Sequence, residues 1–513
     1  MTTTYSKALT ILLSSILLSL SALLHAGSPV WTFTPLTATS VSVPANNTAT
    51  IEYQVTNQSA KSHSLLMTPI TGITQTTTGA GICSNPFTLP SKGSSCTLSL
   101  QVNGSQLTHS ITDGPIVCEQ GSTLQCYKPS PSNVLNIVLI NDTTLTASVS
   151  TLGLSVNDTS LNAALTGTPR LITITNSGSI SATSVTYSPS PALPSGTTIS
   201  PSTCGTIAAS GTCVLTITPG STASATAGNS SPTPITLSIS GTNTNTLTPT
   251  VNILTYGSVY QGGYIYAVDD TTADTGSIGG TVVTQTDQAP RYSGGVVWSS
   301  NGVDSNSESD DSIPGIAETS TTGSSVPTYT DAQASFNSTY SNESTFPFPS
   351  SGSFSSCSGL TNGACNSTNI LTLYNTYVTN YGISYTLSAG PTTTSYYAAG
   401  RCTATISGYS DWYLPAICEM GPASGGSGCS ASTQNIVSQL PDLLGNPSAD
   451  SPSTSCTYGA NCLVGEYWSS TEYSGNSSAG AWFQDFVSGG SSNQANYGKG
   501  SFLGVRCSRA LTL

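Results

Sequence analysis

The chain reads as mainly β, ending in an α+β module, and three observations predict this. Short runs of alternating apolar and polar residues recur through the first half, separated by Gly, Pro, Asn and Ser. Charged residues make up only 6% of the chain, so Ser, Thr, Gly and Asn must cover its surface, as in exported β-rich proteins. Its 14 cysteines are an even number, which fits a disulfide framework built in an oxidising compartment.

The first residues agree with export. Lys7 precedes an apolar run over 8–24, followed by His25, Ala26 and Gly27. A basic start, an apolar stretch and a small residue describe a signal peptide over 1–26, cleaved after Ala26. No later stretch is long and apolar enough to span a bilayer, so no membrane span is expected after cleavage. The expected location is secreted or on the outer cell surface.

Residues 27–141 are expected to form an immunoglobulin-like β-sandwich. Val41 and Val43, then Ile51, Tyr53 and Val55, alternate on either side of a break at Pro44 to Asn47. This pattern reads as two antiparallel strands. Residues 96–102 and 134–140 repeat it, and many short strands with regular turns suggest a sandwich. Residues 142–254 are expected to form a second sandwich, with strands near 170–178, 212–220 and 235–243. Segments 53–59 and 173–178 both run a strand into an Asn-containing polar turn, hinting at one broad type of module. Such tandem modules hold a terminal domain away from a surface.

Residues 255–513 form the α+β module. Alternating Tyr and Val with Gly at 256–270 reads as a strand pair bent at Gly262 and Gly263. Residues 294–302 add a strand and turn. Residues 303–356 are dominated by Ser, Thr, Asp and Pro and read as a surface insertion. Helical spacing is expected over 369–382, and over 432–445 with Pro441 ending that helix. Trp412, Trp468 and Trp482 each lie in a short strand-like run.

Six cysteine pairs are close in sequence: Cys83 with Cys96, Cys118 with Cys126, Cys204 with Cys213, Cys357 with Cys365, Cys418 with Cys429, and Cys456 with Cys462. Cys402 and Cys507 remain for each other. No C-x-x-C occurs and the chain has only 3 His, so no metal centre or cofactor is expected. Asp304, Asn306, Glu308 and Asp310 alternate as calcium ligands can. They lack the turn Gly and closing Glu of a calcium loop, and read as solvated acids.

The stretch from Arg401 onward carries an ordered series of motifs. Trp412, Leu414 and Pro415 lead into Glu419. Tyr467, Trp468, Ser469, Ser470 and Thr471 follow, then Ala481 and Trp482, then Val505, Arg506, Cys507 and Arg509. This series resembles the C-terminal domain of the Legionella collagen-like adhesin family, which has a C-type-lectin-like fold related to formylglycine-generating enzymes. The resemblance implies a surface adhesin domain, with members that bind sulfated glycans and assemble as trimers, and hence a possible homo-oligomer. It also fits a long disulfide from Cys402 to Cys507, which C-type-lectin-like domains often have. Two features depart from the family. No collagen-like tract precedes the domain, and its charge is unsuited to a polyanion. From Tyr256 onward 18 acids face 5 Lys plus Arg, a net of −13, which should repel nucleic acid and sulfated polysaccharide.

Histidine catalysis is not expected. His63 and His109 both precede residue 142, so the last module can hold no Ser-His-Asp triad. No G-x-S-x-G, P-loop or Rossmann fingerprint occurs, and no catalytic residue is assigned. The Trp residues read as core anchors or as sugar-stacking platforms. Tyr396, Tyr397 and Tyr473 read as a ligand face, and Arg506 and Arg509 as structural partners of acids such as Glu419 or Asp485. The leading reading is a non-enzymatic, exported surface protein whose lectin-like domain binds an extracellular glycan or a host or surface protein. The alternatives are a non-binding structural component of an envelope or fibre and, remotely, an oxidase of the formylglycine-generating type.

Overall fold

Alternation becomes burial along each strand of the first module. In the strand Thr48–Asn57, Ile51, Tyr53, Val55 and Asn57 turn inward while the residues between them turn out. The computed structural model describes residues 29–45, 47–224, 231–290, 295–298, 312–318, 329–330, 332–334, 349–381, 394–423, 425–429, 434–445, 461–487 and 492–512. The signal segment 1–26, the acids Asp304 to Asp310 and Cys456 lie outside them.

One sheet of the first sandwich orders Trp31–Pro35, Thr48–Asn57, Ser95–Asn103 and Ile73–Thr76. The opposing sheet orders Phe87–Leu89, His63–Met67, Val117–Glu119 and Cys126–Tyr127. Ser40–Pro44 does not pair with Thr48–Asn57, as the sequence suggested. It runs parallel to Asn136–Ile140, with Val41 opposite Ile137. Alternation fixes which face of a strand is buried, but not which strand lies beside it.

The second sandwich keeps the four-stranded sheet but joins its parallel strand pair to the opposing sheet, whereas in the first that pair stands as a two-stranded sheet of its own. Leu145–Ala147, Arg170–Asn176, Thr212–Thr218 and Thr198–Ser200 form one sheet. Thr151–Ser155, Thr250–Leu254, Ile235–Ser240, Ala182–Ser190 and Gly205–Ile207 form the other, with the first two parallel. Taken as strands A, B, E, D and A′, G, F, C, C′, this is the two-sheet order of an immunoglobulin-type sandwich.

The two sandwiches share a buried anchor. Asn57 and Asn176, each ending its B strand, are 1% and 0% exposed. Asn57 donates to the Lys61 and Leu89 carbonyls at 2.8 and 3.0 Å, and its oxygen accepts from Ser59 N–H at 2.8 Å. Asn176 donates to the Ile180 and Ile207 carbonyls at 2.7 and 3.0 Å and accepts from Gly178 N–H at 3.1 Å. Cys96 lies opposite Val55 and Cys213 opposite Ile174, each two residues before its Asn. The modules therefore superimpose position by position: Ser59 on Gly178, and His63 on Ala182.

In the last module, Val259–Tyr260, Gly263–Asp269, Gly279–Thr284 and Ser508–Ala510 form one sheet, so its early and late strands pair, with Val282 opposite Arg509. Gly465–Glu472, Gly480–Phe486 and Asn493–Gly498 form a second. The helix Gly363–Tyr381, α1, packs on Gly465–Glu472. It contains the helical run expected there and begins six residues earlier than 369. The helix expected over 432–445 is one turn, Ile436–Gln439, before a 3-10 turn at Pro441–Leu443. Pro441 lacks the N–H that a longer helix needs. Residues 312–318 are not part of a surface insertion: Ile313, Ile316 and Ala317 are each 0% exposed. This short apolar stretch is hidden in composition by its polar surroundings.

The first sandwich has its own core. The second sandwich and the last module share one, continuous from Leu145 to Leu511. Arg170, 0% exposed, inserts its guanidinium into the loop after Asp269. It donates to the Ala273, Gly276 and Ser277 carbonyls at 2.8, 2.7 and 3.2 Å and to Thr272 Oγ1 at 2.7 Å. Ser155 Oγ donates to Asp270 at 2.7 Å. The second sandwich is thus packed against the module rather than strung to it as a loose spacer.

Candidate functional site

Most of the motif series converges on the core of the last module, and Trp482 packs in a separate small cluster with Ile417, Cys418 and Cys429. Trp412, Trp468 and Trp482 are 5%, 0% and 2% exposed, which decides between core anchor and sugar platform in favour of the core. Each indole N–H is satisfied, as burial demands. Trp412 donates to the Ile406 carbonyl at 3.0 Å, Trp468 to the Val296 carbonyl at 2.9 Å, and Trp482 to the Glu318 carboxylate.

Polar groups of the Tyr467–Thr471 strand are also consumed internally. Ser469 Oγ donates to the Trp482 carbonyl at 2.7 Å, Asn366 donates to Ser470 Oγ at 3.2 Å, and Thr471 Oγ1 donates to the Gly359 carbonyl at 2.7 Å. Ser470 N–H bonds the Pro415 carbonyl, and Leu414 N–H bonds Ser367 Oγ on α1. These hydroxyls and amides stitch the 412–415 segment, α1 and the central strand together.

Arg506 and Arg509 are structural, but their partners are not Glu419 or Asp485. Arg506 pairs with Asp287 and donates to the Thr284 and Asn461 carbonyls at 2.7 and 2.6 Å. Tyr467 OH donates to the same Asp287 at 3.0 Å. Arg509 pairs with Asp411, donates to Gln261 Oε1 at 3.0 Å and stacks over Tyr409 at 3.9 Å. Sequence distance hid these pairings: Asp287 is 219 residues from Arg506.

Glu419 serves a different purpose. Its carboxylate accepts from Ala416 N–H at 2.7 Å, Gly363 N–H at 3.1 Å and Tyr413 OH at 2.9 Å, so it joins the start of α1 to the 413–419 segment. Part of the residue reaches the surface, but the carboxyl itself is enclosed. Burial pushes it up to about 7, against the opposing pull of these three donors. Val505 and Cys507 are buried, and Cys507 is bonded to Cys402.

The expected tyrosine face is corrected in one place. Tyr397 is 0% exposed and packs edge-on against Tyr374, ring centres 5.1 Å apart. A Tyr-Tyr pair in a polar stretch looks like a loop, but Val297 pairs with Tyr397 and draws it inward. Tyr396 and Tyr473 remain partly exposed, and Tyr473 lies edge-on to Trp482 at 5.7 Å. Exposed aromatic surface that the sequence reading passed over lies nearby in the chain: Tyr497, 45% exposed and stacked on Phe483 at 4.7 Å, and Phe502, 60% exposed. The signal was available, since Tyr497 sits among polar residues on the strand Asn493–Gly498, which is paired on one side.

Cys83–Cys96, Cys118–Cys126, Cys204–Cys213, Cys357–Cys365 and Cys418–Cys429 are disulfides. Cys462 is also disulfide-bonded. Among the described residues no cysteine is free, and no group of His, Cys, Asp and Glu is arranged to hold a metal ion. No described helix is long and apolar enough to cross a membrane.

A second polar constellation lies in the first sandwich, outside the motif series. Ser59 Oγ is 2.7 Å from His63 Nε2, and His63 Nδ1 is 2.7 Å from Glu119 Oε2. In the sequence His63 belongs to no motif and carries no expected role. The hint was a Ser four residues before a His at a turn, but Glu119 comes from another strand.

No protein-family model matches the chain, and no curated protein does. Among solved structures, a protein of unknown function from Porphyromonas gingivalis W83 is 11% identical, covering 44% of this chain and 99% of its own, with a TM-score of 0.16. A chimeric titin Z1Z2 is 11% identical, covering 45% and 100%, with a TM-score of 0.18. Dpr2 Ig1-Ig2, in complex with DIP-Theta Ig1-Ig3, is 13% identical, covering 44% and 99%, with a TM-score of 0.15. TM-scores this low leave the fold to be read from strand order itself.

Proposed function

We propose that this is an exported surface protein in which two immunoglobulin-like sandwiches carry a C-type-lectin-like, adhesin-type domain for an extracellular glycan or surface protein. The disulfides fit an extracellular protein. The observation that carries the finer reading is the ordered series from Trp412 to Arg509. Trp412, Leu414, Trp468, Ala481 and Val505 meet in one core, around a sheet that pairs the early and late strands of the module, while Trp482 packs in a small cluster with Ile417, Cys418 and Cys429. The Cys402–Cys507 bond, spanning 105 residues, closes the same unit. With the indoles buried, the ligand face falls to exposed aromatic side chains such as Tyr497 and Phe502, beside the partly exposed Tyr473 and Tyr396. Tyr offers contact area at low entropic cost.

The test uses residues 27–513, because the second sandwich shares a core with the module. The folded protein is applied to a glycan array and to a panel of surface proteins. Binding that weakens in Tyr497→Ala, with unchanged melting, supports the adhesin reading. Absence of binding throughout would favour a structural component of an envelope or fibre.

A further inference from the structure

The hydrogen-bonded chain Ser59–His63–Glu119 in the first sandwich has the order and spacing of a nucleophile, a base and an orienting acid. Its hydrogen bonds are 2.7 Å each, inside the reach required of a working nucleophile and base. The exposures are graded. The His63 and Glu119 side chains are 11% and 26% exposed, and Ser59 is partly exposed. Trp31 packs on the His63 ring at 5.7 Å, and Ser64 N–H donates to the other Glu119 oxygen at 3.4 Å, so two neighbours hold the relay. Ser59 Oγ also contacts the Lys61 N–H and carbonyl, each at 3.2 Å.

The sandwich fold does not require this arrangement. The second sandwich keeps the Asn anchor and its hydrogen bonds, yet places Gly178 where Ser59 stands and Ala182 where His63 stands. A buried His with a paired acid is therefore an addition to the module, not part of its plan.

We propose that Ser59 is an activated nucleophile that cleaves carboxylic esters at the surface of the first sandwich. Ser59 Oγ attacks the ester carbonyl carbon and passes its proton to His63 Nε2, while Glu119 holds Nδ1–H and steadies the imidazolium. The carbonyl oxygen takes the negative charge. Ala60, an exposed residue next after the nucleophile, has an N–H that makes no hydrogen bond among the described residues, and the residue after the nucleophile is the one from which such sites draw an oxyanion donor. The C–O bond breaks, and the leaving alkoxide takes the proton from Nε2. Water then attacks the acyl-serine carbonyl, giving its proton to Nε2, and the acyl–Oγ bond breaks as Oγ takes that proton back. The products are a carboxylic acid and an alcohol. Leu124, 96% exposed, sits on the stapled loop that follows Glu119.

The test uses the whole chain from residue 27, a fluorophosphonate probe, and p-nitrophenyl acetate. One adduct is expected, on the peptide containing Ser59, together with ester hydrolysis. Ser59→Gly should abolish both. His63→Ala and Glu119→Gln should each slow them by about 100-fold or more, and His109→Gln should leave them unchanged. Ser59→Gly and His63→Ala install residues the second sandwich already carries at these places, and circular dichroism checks that they fold. No adduct on Ser59 in the unmodified chain overturns the proposal. So does labelling that is equally fast in folded His63→Ala, because a serine without its base would then react as well.

Discussion

Glu419 links one carboxyl to the pH response of a whole module. The folded state holds its proton up to about 7, while the unfolded group releases it near 4.5. Between those values the folded state binds more protons, so stability falls as pH rises. The contribution is fully present below the lower value and lost through the upper one. Tyr413 and Tyr266 face the same carboxyl, and both stay neutral over this range because burial raises them. Glu419→Gln should therefore gain stability relative to the unmodified chain on going from acid to neutral pH, by on the order of 2 kcal/mol. Thermal melts across that range check it, and parallel pH profiles for the two proteins would rule it out. The Lys499–Glu472 pair is a different case. Both side chains are 0% exposed and 2.6 Å apart, with Lys499 lying over Trp298 at 4.4 Å. Lys499→Met should cost about 3–5 kcal/mol by breaking a buried ion pair from one side. Adding Glu472→Gln should recover part of that loss in urea melts.

At the scale of elements, loop length separates the disulfides. Cys402–Cys507 spans 105 residues, whereas Cys357–Cys365 spans 8. Chain entropy assigns about 5 kcal/mol to the first and about 2.5 kcal/mol to the second. The Cys402→Ser, Cys507→Ser double variant should therefore melt well below the Cys357→Ser, Cys365→Ser one. Equal melting points would mean that the long loop is already restrained when unfolded. The Asn anchors act on the same scale. Asn57 holds the turn after its strand to the strand Phe87–Leu89, and Asn176 holds its own turn to Gly205–Ile207.

For the whole molecule, two large cores imply two cooperative units. Calorimetry should show one transition for the first sandwich and a second, larger one for the second sandwich with the last module. Arg170→Met should lower only the larger transition, by a few kcal/mol, because it strands the carbonyls of residues 273–277. Three independent transitions would contradict the shared core. Charge also acts at this scale. With a net of −13 after Tyr256, no heparin retention is expected at physiological salt, and retention on a heparin column would reveal a concentrated basic surface.

By itself the sequence determined the mainly β character, the faces of the strands, the existence of α1 and the five nearby cysteine pairings that lie within the described residues. These follow from local periodicity and short separations, which one stretch of chain contains in full. Tertiary structure decided the rest. It set Ser40–Pro44 beside Asn136–Ile140, drew Tyr397 and residues 312–318 into the core, and gave Arg506 and Arg509 to Asp287 and Asp411. It also brought Glu119 to His63 across 56 residues. Each of these is a meeting of distant segments, chosen by which surfaces exclude water together. No window of sequence holds both partners of such a meeting.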